Sequence, residues 1–506
     1  MRGSTTRGWS FLAAGAWLAG CGAFLDLGPR RQLEEGGGGV SSQGGSGGDG
    51  DGGEAGEAGE AGGGSGPAGL CSPGGDVIWL RTFGDASYDG IFGLAPDGED
   101  GVYLSGWFAG AIDLGGGPML SAGDRDFFLA RLDEDGELVW NKRYGGPYWD
   151  DNGPAIALHP GGLALCGAIN SQVDFGAGVH VPNGYDQFVV LLGKDGSLVW
   201  ETWIGGPGEQ RCWGELAVDE TTGDVLVGSR FSSQAVVSGQ IVTSVGESDA
   251  IVTRLRGSDG GVLDQRVLSG TGDDLLESIS VLEDGDVLIS GVTTAGLDLG
   301  SGLVVSDEAD AFVARLSADL ATVKWGQIFV GPGNQRPFQH LVLRDGDILV
   351  TGALDGSVDF GIGPVVDSNG GFATRLSPVD GVATESRSLL GFDNPLWLVE
   401  ATDGNLLIAG SYSGPMYLGG VSVSDPSTVK PTTDPVAVAL SSDLATLEWK
   451  QLASHSLGWE TFSGIASTKD DAVFIVGNFY ETLNVDGCDS HPSAGDQDAF
   501  LMKRAQ

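Results

Sequence analysis

Seven times along this chain a run of apolar residues ends in a small residue and a glycine, at Gly106, Gly167, Gly228, Gly291, Gly352, Gly410 and Gly477. The spacings are 61, 61, 63, 61, 58 and 67 residues, too regular for unrelated loops and too long for most helical repeats. A second element recurs in phase with the first. It is an Asp leading an apolar run, at Asp126, Asp186, Asp249, Asp310, Asp434 and Asp498, with a degenerate copy at Gly371-Phe-Ala-Thr-Arg. A third carries Trp140, Trp200, Trp325 and Trp449, with weaker equivalents near Leu263 and Ala383. The segments are short, rich in Val, Ile, Leu and aromatics, and divided by turns such as Asp135-Gly136, Asp195-Gly196 and Asp345-Gly346, a pattern that reads as antiparallel β. Four strands fit each repeat, in the first copy around 90–96, 101–107, 125–132 and 137–144.

A four-stranded unit repeated seven times, with no helical segment between copies, predicts an all-β chain: a seven-bladed β-propeller of four-stranded antiparallel blades, each buried against its neighbours. The seventh copy stops after Asp498–Arg504 without its Trp-type strand, and an unpaired copy of that element, 76–83 with Trp79, stands 61 residues before Trp140. Strand 76–83 is therefore expected to join the last blade as its outermost strand and close the ring. Cys71 precedes this strand and Cys488 lies in blade seven, so the two are expected to form a disulfide in an oxidising compartment. Cys166, read as ending a second strand, and Cys212, read as preceding the next blade's first strand, make the other expected pair.

The stretches Gly106-Trp-Phe-Ala-Gly-Ala-Ile-Asp-Leu-Gly and Asp310-Ala-Phe-Val-Ala-Arg resemble the bacterial SBBP-type β-propeller repeat, over roughly residues 76–506. Blades three, six and seven depart from it in the Asp-Leu-Gly spacer, where Val236-Val237, Tyr417 and Val485 stand. The resemblance implies a secreted or surface protein and brings no assigned chemistry. The run Leu132-Asp-Glu-Asp-Gly-Glu-Leu-Val-Trp140 is similar to pyrroloquinoline-quinone-type propellers, but their shorter period and vicinal Cys pair are absent here. No cofactor is expected.

The first residues point to export. Arg2 and Arg7 precede the apolar run Trp9–Trp17, too short to span a bilayer but suited to the core of a secretory signal. It ends in Leu18-Ala19-Gly20-Cys21, which resembles the bacterial lipobox and implies lipidation of Cys21 after removal of 1–20 as a lipoprotein signal peptide. Gly at position 22 resembles the outer-membrane pattern, on the periplasmic or cell-surface side. Residues 21–70 are read as the lipidated N-terminus and a disordered Gly/Glu-rich linker, with an average reach of roughly 35–40 Å for about 45 flexible residues. The propeller domain is placed at 71–506. Membrane contact is expected through the lipid alone.

The net charge of −43, from 69 acidic and 26 basic residues, repels nucleic acid and anionic lipid surfaces, so neither is expected as a partner. The five histidines fall at unrelated repeat positions, without metal-ligand spacing or a nucleophile beside them, and no catalytic residue or metal site is assigned. Asp113, Asp174, Asp298 and Asp359 recur from blade to blade, as does the set beginning at Asp126. Recurrence argues for turn capping, since a catalytic group is needed once. Asp133, Asp135 and Glu137 make only half of a calcium loop. The positions that vary in type lie just before each blade's first strand: Tyr88-Asp89, Trp149-Asp150-Asp151-Asn152, Glu209-Gln210-Arg211, Asp273-Asp274, Asn334-Gln335-Arg336, Asp393-Asn394 and Trp459-Glu460. Aromatics beside carboxylates, amides and Arg suit a carbohydrate or protein ligand, and the expectation is a monomeric, non-enzymatic binding or scaffold module. The alternative is a polysaccharide hydrolase or lyase using carboxylates on that face.

Overall fold

The computed structural model describes residues 71, 76–147, 153–212, 215–299, 302–306, 308–412, 414–418, 420–424, 433–454, 461–469 and 472–506. Cys21, the leader and the linker lie outside them, as do Trp149, Asp150, Asp151, Asn152, Trp459 and Glu460. No helix occurs among the described residues.

Seven antiparallel blades follow one another. Blade one is Asp89–Pro96, Val102–Phe108, Asp126–Leu132 and Leu138–Tyr144, hydrogen-bonded in that order. Blades two to six span 155–205, 210–268, 274–329, 335–389 and 394–454. Blade seven takes three strands from 461–505 and its fourth from Val77–Phe83, which lies antiparallel to Asp498–Ala505 with Leu80 opposite Met502 and Phe83 opposite Ala499. The first strands touch one another in sequence around the molecule and meet again between blades seven and one, so the ring is closed.

Each blade buries both faces, which explains why the middle strands read as continuous apolar runs. Val225 and Val227 pack toward blade two while Leu226, between them, packs toward blade four. Seven clusters result, one at every junction between blades. The recurrent glycine has a steric cause. A Cβ on Gly106 would stand 2.1 Å from the Gly90 carbonyl oxygen and 2.6 Å from the Phe128 ring; at Gly291 and Gly352 the first-strand carbonyl and the third-strand phenylalanine close in the same way. In blade one the first strand bulges at Phe92, and in blades four and five at the equivalent Glu277 and Phe338.

The repeated acids cap turns. Asp113 Oδ1 accepts the N–H groups of Gly115 and Gly117, and Asp174 and Asp359 hold the equivalent pairs. Asp133 Oδ1 accepts from Asp135 and Glu137 N–H, so the half calcium loop is a hydrogen-bonded turn. Cys71 is bridged to Cys488 and Cys166 to Cys212. Two placements differ from the sequence reading. Cys166 sits within Gly162–Ile169 rather than at its end, and Cys212 directly follows Gln210–Arg211, the opening of blade three's interrupted first strand.

Candidate functional site

The polar residues assigned to loops ahead of each first strand divide into two groups. Asp89, Gln210, Asp274 and Gln335 are buried and stand first in the strand itself, not before it. The correction has a simple cause: this position is stapled to the preceding blade. The N–H groups of Asp89, Gln210, Asp274 and Gln335 donate to the carbonyls of Gln497, Tyr185, Ser248 and Ala309 at 2.9, 3.0, 2.9 and 2.7 Å, each acceptor preceding the Asp of a third strand. Their side chains turn back onto neighbouring loops. Asp89 Oδ2 accepts Asp85 N–H, Gln210 Nε2 donates to Gln234 O, and Gln335 Nε2 donates to Gly333 O. Asp393 is buried as well.

Stapling acids with acids is electrostatically costly at two junctions. Burial, with the Asp85 and Asp498 charges nearby, pushes the Asp89 carboxyl up to about 8. Burial pushes Asp274 and Asp498 up to about 6. Asp89 therefore holds its proton at neutrality and Asp274 and Asp498 release theirs near pH 6, but being enclosed all three serve the ring and not a ligand.

The second group remains at the surface: Tyr88, Glu209 and Asn334 are exposed, and Arg211, Asp273, Arg336 and Asn394 are half-buried. The structure places part of it at three consecutive junctions, a strip from blade two to blade five. The Arg211 guanidinium lies 3.7 Å over the Tyr185 ring and 3.3 Å from the Glu209 carboxylate. At the next junction Arg230 donates to Ser248 Oγ at 3.1 Å and lies 3.5 Å from the Asp273 carboxylate, which also accepts the Ser248 hydroxyl. One blade further, Arg336 pairs with Glu277 at 2.7 Å. Burial pushes the Glu277 carboxyl up, opposed by the Arg336 and Arg230 guanidiniums, so the last two pairs sense each other. Tyr88 and Asn394 lie outside this strip, on blades one and six.

Tyr185, Arg230, Ser248 and Glu277 were missed at the sequence level. Glu277 had a legible signal, being an acid at a bulge that Phe92 and Phe338 fill with aromatics, and bulges re-aim side chains. The strip offers guanidinium donors, carboxylate acceptors and an aromatic face, the inventory for hydroxyl-rich or peptide ligands. Three of the histidines are engaged elsewhere. His340 is buried, bonded to Ser290 Oγ at 2.8 Å, and burial pushes it down to about 3; His180 stacks on Trp203 at 3.6 Å; His159 is bonded to Gly223 O.

No family model and no curated protein matches the sequence. Among solved structures the chain is similar to a protein of unknown function from Dyadobacter fermentans, with a TM-score of 0.37, 11% identity, and 84% of this chain and 99% of that one covered. It is also similar to the quinohemoprotein alcohol dehydrogenase of Comamonas testosteroni, with a TM-score of 0.42, 12% identity, and 83% and 76% covered. The quinohemoprotein alcohol dehydrogenase of Pseudomonas putida gives 0.36, 12%, 83% and 76%.

Proposed function

We propose that the protein is an exported, lipid-anchored propeller that acts as a non-enzymatic binding or scaffold module for a carbohydrate or protein segment. The observation that carries this reading is the strip of Arg211 on Tyr185, Arg230 with Asp273, and Arg336 with Glu277 at three consecutive junctions between blades two and five. Arg211, Asp273 and Arg336 stand where the repeat keeps its position and changes its residue types, and unlike the buried staples beside them they remain at the surface. The two disulfides support an oxidising compartment, the Leu18–Cys21 motif supports lipid anchoring, and Gly22 supports the outer membrane as its place.

The test is capture of cell-envelope glycans and proteins by the full chain, compared with Arg211→Ala. That substitution removes a half-buried cation stacked on Tyr185 and is expected to weaken capture about tenfold, while shifting stability by at most about 1 kcal/mol. Arg336→Ala is a poorer probe, because stranding the buried Glu277 charge costs stability by itself. Unchanged capture by Arg211→Ala would remove the strip from the reading, and depolymerisation of a captured glycan would replace the module with an enzyme.

Anchoring has its own test. Cys21→Ser is expected to abolish labelling by a radioactive fatty acid and to release the protein from the membrane fraction. Membrane association that survives the substitution would overturn the lipoprotein reading.

A further inference from the structure

A second site lies at the ends of the strands opposite the staples, where blade seven is completed by a strand from the other end of the chain. In the other junctions that carry it, the fourth-strand tryptophan reaches forward to the next blade's turn between third and fourth strands. Trp79 Nε1 donates to Glu134 O at 3.3 Å, Trp140 to Lys194 O at 3.0 Å, Trp200 to Gly257 O at 2.9 Å and Trp325 to Pro378 O at 2.9 Å. Each acceptor precedes an Asp-Gly turn, at 135–136, 195–196, 259–260 and 380–381. Trp449 of blade six stands in the same register, opposite Ala439 as Trp140 stands opposite Arg131. Its forward neighbour is blade seven, whose third strand is Asp498–Ala505 and whose fourth is Val77–Phe83, so no turn joins them. Trp449 Nε1 is buried without a hydrogen-bond partner.

The neighbouring third strand breaks its own repeat at the same point. The position facing the start of the fourth strand is Leu132, Leu192, Leu255, Leu316, Leu376 and Leu440 in blades one to six, and Arg504 in blade seven. Arg504 is 1% exposed, and its guanidinium lies 3.6 Å over the Trp449 ring. Its Nη2 is 3.4 Å from the Asp76 carboxylate, while Nε and Nη1 are buried and unpartnered. Desolvation pulls Arg504 down to about 10, so it stays a cation at neutral pH. The Trp449 side chain on which Arg504 stacks lines a 410 Å³ cavity together with Asp403, Asn405, Glu448 and Gln506, and the Gln506 side-chain amide is also without a partner.

We propose that this cavity is a receptor for a peptide-borne carboxylate, filled by an Asp-Gly turn of a partner chain seated where the other junctions hold their own turn. A buried guanidinium and an indole N–H with nothing to donate to specify an acceptor, and a guanidinium fork specifies a carboxylate. Asp403 already accepts from Asn405 N and Nδ2, which leaves Glu448 at the rim to meet a basic residue flanking the ligand's Asp. The site is separate from the strip on blades two to five and does not depend on it.

The test uses the full chain with indole 15N labelling and assigns the Trp449 signal among the 13 tryptophans through Trp449→Phe. The probe is the acetylated, amidated peptide Lys-Asp-Gly-Ser, matching residues 194–197, with its Asn analogue and free succinate as comparison arms. Saturable movement of the Trp449 signal by the Asp peptide is expected, with at least tenfold weaker binding for the Asn peptide and for succinate. Arg504→Leu restores the residue of the other six blades, so it is expected to fold with the remaining indole signals in place and to bind at least tenfold more weakly. Trp449→Phe, read by calorimetry, keeps the ring and loses the donor, and is expected to weaken binding several-fold. The proposal is overturned by an immobile Trp449 signal at 10 mM peptide, by equal binding of the Asn peptide or succinate, or by undiminished binding to both variants.

Discussion

Raising the pH from about 5 to about 8.5 is expected to lower the thermal transition of this protein, over a range in which ordinary carboxylates, already ionised, leave stability nearly flat. Asp89 is pushed up to about 8 and Asp274 and Asp498 to about 6 from an ordinary value of 3.8, chiefly by burial. Buried His340, pushed down to about 3, works the other way below its ordinary value of 6.5, but it is one group against three. The folded state therefore binds more protons than the unfolded state between about pH 4 and pH 8, and stability falls as pH rises through that window. Stabilisation by the protonated groups is complete below about pH 4 and is lost as each folded-state value is passed. The acid limb comes from other groups: Asp195, Asp319 and Asp443 are held below the usual range by the hydroxyls of Ser197, Ser317 and Ser441, and their contribution disappears in acid. At about 1.4 kcal/mol for each tenfold displacement of a proton equilibrium, the loss on the alkaline side is on the order of 5 kcal/mol. Asp89→Asn keeps an acceptor for Asp85 N–H and removes the buried charge, so it is expected to recover on the order of 3 kcal/mol at pH 8.5 and little at pH 5. Calorimetry at the two pH values checks this; an alkaline transition unmoved by Asp89→Asn would mean that the carboxyl is ionised and well solvated.

Deleting residues 76–83 is expected to abolish the cooperative transition and cause aggregation. Val77, Leu80 and Phe83 are buried in the clusters that join blade seven to blades six and one. Without them Asp498–Ala505 becomes an open edge, an invitation to pairing with other chains. The Cys71–Cys488 bridge spans 417 residues, and removing it with Cys71→Ser and Cys488→Ser is expected to lower the transition without abolishing it, by up to about 5 kcal/mol. Size-exclusion chromatography and calorimetry distinguish the two outcomes. A deletion variant that stays monomeric with an unchanged transition would refute closure.

The fold was legible because its constraints repeat. A first-strand carbonyl excludes a Cβ at Gly106, Gly291, Gly352 and Gly410, and Asp113, Asp174 and Asp359 cap equivalent turns, so one blade read correctly sets the phase of the rest. The copy at Trp79 identified the closing strand by phase alone. Burial of the polar first residues was not legible, since a run such as Tyr88-Asp89 is the same string whether it faces water or is stapled to the preceding blade. The strip was half legible: Arg211, Asp273 and Arg336 stood out by their position, whereas Arg230 and Glu277 enter through neighbouring strands and a bulge. Arg504 was visible all along as the one charged residue in a column of leucines, but its meaning depends on a missing turn that only the closed ring reveals.

Hydrogen exchange on the native full chain tests the closed ring most directly. The account predicts that amides of residues 77–83 exchange as slowly as those of 498–505 and of the middle strands of blade one, because all open only on global unfolding. Fast exchange of 77–83 beside a protected 498–505 would place the closing strand away from blade seven and contradict it.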